Sequence, residues 1–202
     1  GDQLRRNQPF DAPVQAFRGL LQQVLAWPTL PLETLRGALG AALGPNVNVL
    51  GAVMPELVAL LPDCPPAPAL GGPEAELRFR LTFQAMVEVL ATPEHPLVLF
   101  LDDLQWMDAA SLALVEALID GRTRAALCLI GAWRDGEVGP EHAVTEMLGR
   151  LGNTGHAGET IRLAPLGRDS MLALVSDALG GALTGPAPGE LEALTTIIID
   201  KT

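Results

Sequence analysis

Residues 97–103 read Leu-Val-Leu-Phe-Leu-Asp-Asp, an apolar run that ends in two adjacent carboxylates, Asp102 and Asp103. An apolar run without alternation suits a strand buried on both faces, as in a parallel sheet covered by helices. Such sheets bind ligands outside the carboxyl ends of their strands. The acid pair therefore falls where chemistry is placed. Desolvating unpaired carboxylates is unfavourable, and a cation, usually magnesium carried by a nucleotide, removes that penalty. The competing structural explanation is that the pair caps a turn or the helix that follows.

The flanking sequence supports an α/β alternation. Val14, Phe17, Leu21, Val24 and Leu25 recur at helical spacing, and Pro28 and Pro31 are expected to close that helix. Residues 32–61 read as short helices, punctuated by Gly44-Pro45 and Pro55, with Gly37 and Gly40 as small helix residues and Gly44 as a helix end. The proline- and glycine-rich stretch 64–73 reads as a linker or exposed loop. A helix over 74–90 places Phe79, Phe83, Met86, Val87 and Leu90 on one face. After the acid-tipped strand, Asp108 is placed as the N-cap of a helix carrying Leu112, Val115, Leu118 and Ile119. A second buried strand is expected over 125–134, ending at Arg134, followed by a helix over 140–151. Residues 160–166 alternate and read as a short third strand leading out of the core, and helical spacing resumes at Met171 and again after Pro188. Strands that alternate with helices imply a parallel sheet. Right-handed crossovers then put all three strand ends on one edge. Asp102, Asp103 and Arg134 lie on that edge.

Composition narrows the function classes. A net charge of −11 repels phosphate backbones, so direct nucleic-acid binding is not expected of this chain. No apolar run approaches the roughly 18 residues of a membrane span, and no targeting segment is visible. With no secretory leader, Cys64 and Cys128 read as ordinary buried thiols of a reducing, cytoplasmic compartment. Lys201 is the sole lysine. A phosphate-binding loop, Gly-x-x-x-x-Gly-Lys-Ser/Thr, requires a lysine that reaches the phosphates. Thr195 and Asp200 stand where the glycines of that motif would precede Lys201, so the chain contains no such loop.

The candidate site residues carry distinct roles. Asp102 is the candidate metal and cofactor ligand for magnesium, since one carboxylate beside nucleotide phosphates is often sufficient for that ion. Asp103 is the candidate catalytic acid, placed to orient or deprotonate an attacking water. Arg134 is a candidate for both catalysis and cofactor binding, through contact with a γ-phosphate. A ligand-independent salt bridge from Arg134 to Asp102 or Asp103 explains the same residue equally well, and Glu137 is a further potential partner. Trp106 and Trp133 are candidates to pack near the site, with core or hinge packing the expected role of both. His95, His142 and His156 have no ligand spacing and read as surface or loop residues. Ser111, Ser170 and Ser176 read as ordinary helix residues.

Residues 96–111, Pro-Leu-Val-Leu-Phe-Leu-Asp-Asp-Leu-Gln-Trp-Met-Asp-Ala-Ala-Ser, resemble the Walker B segment of the STAND class of P-loop ATPases. They are most similar to the AAA-type ATPase module found within large bacterial signalling kinases and transcriptional regulators. Residues 129–138 resemble that family's next strand, with Arg134 at the sensor arginine; 161–166 resemble the strand leading into a helical lid; and 3–20, with Gln8-Pro-Phe10 and Gln15-Ala-Phe17, resemble the segment after the second strand. The resemblance implies an α/β, P-loop NTPase-like fold that is incomplete. Residues 1–166 would form the partial core, with the Walker B strand at 97–103 and the sensor strand at 125–134, and 167–202 the start of the lid. It implies ATP and Mg2+ as cofactors, Asp102 as the magnesium ligand, Asp103 as the catalytic acid, and slow hydrolysis that resets a conformational switch.

The family's phosphate loop is absent, and the chain stops near where a Gly-x-Pro adenine contact is expected. These residues are therefore expected to be a piece of a larger protein, with ATP or ADP and the other domains of the same polypeptide as partners. An incomplete sheet is expected to expose an apolar patch or edge, which favours self-association. The rival reading is a nucleotide-independent protein-interaction module that keeps the fold.

Overall fold

The computed structural model describes residues 9–64, 71–119, 125–153, 158–180 and 188–201. His156, residues 3–8 and the proline-rich stretch 65–70 lie outside them. The chain divides into two compact units, Gly1–Gly158 and Glu159–Thr202.

In the first unit the element order is α1 (Asp11–Leu25), α2 (Thr29–Leu43), α3 (Val47–Gly51), α4 (Pro55–Leu60), α5 (Gly72–Leu90), β1 (Leu97–Leu101), α6 (Ala109–Ile119), β2 (Leu127–Gly131) and α7 (Ala143–Asn153). Helical spacing in the sequence sets which faces are buried. Val14, Phe17, Leu21 and Val24 of α1 are buried, as are Phe79, Phe83, Met86 and Val87 of α5. The two faces meet through aromatic contacts: Phe17 lies edge-on to Phe83 at 5.0 Å, and Phe10 stacks on Phe79 at 4.4 Å. Helix α1 also packs on α4, α6 and β1. Its Arg18 reaches Glu56 of α4 through a two-nitrogen fork, with Nε and Nη2 at 3.0–3.2 Å from the carboxylate. Asp108 caps α6 as expected, its Oδ1 accepting from the Ser111 N–H at 2.9 Å. Gly44, with φ of 50°, ends α2.

The architecture is α/β, with helices packed on a parallel sheet. Strands β1 and β2 pair in parallel, Leu97 opposite Leu127 through Leu101 opposite Gly131. Four expectations are corrected. Pro31 does not close α1; α1 ends at Leu25, ahead of Pro28, and Pro31 lies in the first turn of α2, where N–H groups have no helical partner to lose. Residues 160–166 form no strand, and Ile161 and Leu163 are exposed. Alternation supplies a face, but a strand needs a ladder partner, and among the described residues the only paired strands are β1 and β2. Nor is β1 buried on both faces. Leu99 and Leu101 join the core, whereas Val98 and Phe100 are 63% and 58% exposed. Ile130 and Cys128, their neighbours on β2, are exposed too, so Cys128 is not a buried thiol. Cys64 is half-buried.

In the second unit, α8 (Arg168–Gly180) and α9 (Pro188–Lys201) pack on one another.

Candidate functional site

Parallel pairing puts the carboxyl ends of β1 and β2 side by side, and the chain beyond each strand is locked to the other. The Ala132 N–H donates to Leu101 O, and the Leu104 N–H donates to Ala132 O, each at 2.9 Å. Leu104 is buried and presses on the β2 backbone at Gly131, where a Cβ would fall 2.5 Å from Leu104 Cδ1. A larger residue at 131 would force the Leu104 side chain to shift. Between Leu101 and Leu104 the backbone must turn sharply. Asp103 accomplishes the turn in the left-handed region, φ 52° and ψ 45°, which aspartate tolerates better than most residues. A single 3-10 turn, Leu104–Trp106, follows.

Asp102 is exposed, and its Oδ1 accepts the Asp103 N–H at 2.9 Å. This bond fixes the turn and leaves the second carboxylate oxygen for other use. Asp103 Oδ1 accepts from Gln105 Nε2 at 2.8 Å and faces Arg134 Nε at 3.7 Å. Gln105 is buried, and its other amide atom, Oε1, accepts the Arg134 backbone N–H at 3.3 Å. One buried amide thus ties the acid of one strand end to the arginine beyond the other. Sequence reasoning missed Gln105, since its role depends on strand register.

Arg134 lies three residues past the paired part of β2. Besides Asp103, its Nη1 donates to Glu137 Oε1 at 3.2 Å, and its guanidinium carbon sits 5.2 Å from the centre of the Trp106 ring. Trp106 Nε1 donates to Glu137 Oε2 at 3.1 Å. Trp106 is therefore not a core residue. The short turn directs it outward, where it forms a platform beside Arg134 and stays 47% exposed. Trp133 packs half-buried against the core, as expected. His95 is exposed, and His142 accepts the Val144 N–H through Nδ1 at 3.2 Å.

The structure brings Asp103 and Arg134 together directly and sets Asp102 beside them. Among the described residues there is no group of three or more His, Cys, Asp or Glu side chains able to hold a metal. A resident metal cage is not built. An exposed single carboxylate with a spare oxygen does match magnesium, which keeps several waters and takes one or two carboxylates beside substrate phosphates.

The model of the AAA ATPase domain matches residues 1–130. This chain belongs to the AAA ATPase domain family. The match ends within β2, so it takes in Asp102 and Asp103 and stops short of Arg134. Hybrid signal transduction histidine kinase G of Dictyostelium discoideum is 33% identical over 119 residues, which are 59% of this chain and 3% of that protein. The chain thus spans a small fraction of the curated relative it matches. No solved structure matches. With the family in hand, the helices and the two-stranded parallel sheet are an incomplete P-loop NTPase-like fold. No helix among the described residues is long and apolar enough to cross a membrane.

Proposed function

We propose that this chain forms the acid-and-arginine side of an ATP site in a STAND-type signalling ATPase, part of a larger cytoplasmic regulator. The supporting observation is the convergence of an acid doublet, exposed Asp102 and half-buried Asp103, with Arg134 at the adjoining ends of parallel strands. In this reading Asp102 holds Mg2+ on bound ATP. Asp103 orients and deprotonates the attacking water. Arg134 contacts the γ-phosphate. Magnesium, if bound there, would neutralise phosphate charge. The phosphate-binding loop, which the 202 residues lack, would come from elsewhere in the polypeptide. The named relative is a signal transduction histidine kinase, which favours a switch that serves neighbouring signalling domains.

A second reading is supported by two observations. Asp103 and Arg134 already have partners within the chain, Gln105 and Glu137, and the sheet presents an apolar face. In it the chain is a protein-interaction module and the acid pair is structural.

Calorimetry with Mg-ATP separates the readings, using this chain alone and the polypeptide with its native upstream sequence restored. The first reading expects tight binding only in the longer protein. There Asp102→Ala weakens magnesium-dependent binding, and Arg134→Ala weakens ATP more than ADP. Absence of binding in both proteins supports the interaction module instead.

A further inference from the structure

We propose that Glu137, seated with Trp106, sets how well the site distinguishes a nucleoside triphosphate from a diphosphate, by competing with the terminal phosphate for Arg134. The proposal rests on the reading of Arg134 as the phosphate-facing cation.

Glu137 closes a three-membered cluster with a single carboxylate. Oε1 accepts from Arg134 Nη1 at 3.2 Å, and Oε2 accepts from Trp106 Nε1 at 3.1 Å. The guanidinium lies over the indole between them, 5.2 Å from its centre. The backbone fixes both ends of this seat. The Glu137 N–H donates to Arg134 O, and the Trp106 N–H donates to Asp103 O, each at 2.9 Å. Guanidinium donors engaged by a carboxylate are not available to a phosphate. A γ-phosphate with its two charges draws Arg134 away from Glu137, whereas a diphosphate ends one phosphorus short of that contact. Competition by Glu137 is thus subtracted from triphosphate binding and leaves diphosphate binding unchanged. Arg134 is 61% exposed and Glu137 40%, so the competition is modest. Exposed pairs of this kind correspond to changes of up to about five-fold.

The test uses the full-length polypeptide that contains this chain. Mg-ATP and Mg-ADP affinities are measured for the unsubstituted protein, Glu137→Gln, Arg134→Ala and the double variant. Glutamine keeps an acceptor for Trp106 and removes the charge. The expected result is an ATP affinity about three-fold higher in Glu137→Gln, with ADP unchanged, and no such gain on the Arg134→Ala background. An unchanged ATP/ADP ratio in Glu137→Gln, with Arg134→Ala still lowering that ratio, overturns this proposal and leaves the functional reading intact. Equal loss of both nucleotides in Glu137→Gln also overturns it, since Glu137 is then only structural. Equal loss of both in Arg134→Ala, or no ATP binding at all, removes the functional reading and this proposal with it.

Discussion

A left-handed aspartate at the end of a strand is a demanding requirement on one side chain. Asp103 sustains φ of 52° while presenting a carboxylate to Gln105 and Arg134. Asparagine tolerates the same backbone, so Asp103→Asn is expected to stay within about 0.5 kcal/mol of the parent in stability. Asp103→Val places a β-branched residue in a region it avoids, and a loss of about 1–2 kcal/mol is expected. Urea unfolding of the two variants checks the contrast; equal losses would show that the charge, not the backbone, holds the turn. Gln105→Met keeps the volume of a buried side chain and deletes both of its hydrogen bonds, so a loss of about 1–2 kcal/mol is expected in the same assay. Asp102 and Asp103 were legible in the sequence because an apolar run ending in two acids has a meaning that needs no long-range information. Gln105 was not legible, because one of its two partners, the Arg134 N–H, lies beyond a neighbouring strand whose register is a property of the fold. Trp106 was misread for a related reason: residue type suggests burial, but a single 3-10 turn points it outward.

At the scale of the elements, the α1–α4 pairing carries the clearest pH signature. The Arg18 guanidinium beside Glu56, with the Gln22 amide, lowers the Glu56 carboxyl from its ordinary 4.5 to about 2. Folding therefore favours the charged form. Its contribution is complete above about pH 4.5 and is lost as pH falls toward 2. Glu56→Gln is expected to be less stable than the parent at neutral pH, by about 2 kcal/mol for a charged, partly buried hydrogen-bonded pair. The gap should close as acid is added below the ordinary value. A gap that persists unchanged to low pH would show that the ion pair is not its source. Helices were the most legible elements, since α1 and α5 bury the faces their apolar spacing defines. Boundaries governed by proline were less so: Pro31 reads as a stop, yet the first turn of α2 accommodates it. The expected strand at 160–166 failed because pairing, unlike periodicity, cannot be read from one segment.

At the scale of the molecule, the dominant fact is a sheet with one face that the described residues of the first unit leave open. Val98, Phe100 and Ile130 are exposed on it, an arrangement that favours burial against another surface. Val98→Thr with Phe100→Thr keeps strand propensity and removes apolar area. Sedimentation velocity over a range of concentrations is expected to show association of the parent and weaker association of the variant. A monomeric parent at all concentrations would exclude this face as a self-association surface. The exposed face also explains why the continuous apolar run suggested two buried faces: β1 has the composition for both, and the described residues cover one. Cys128 sits on this face, opposite Val98 in the ladder, whereas Cys64 is half-buried. That placement makes the thiol a built-in reporter. Its alkylation by a small maleimide is fast while the face is bare, and the rate falls once another part of the polypeptide, or a second molecule, lies over the strands. A stopwatch and a mass spectrometer then measure the occupancy of this surface in any larger assembly, without introducing a label.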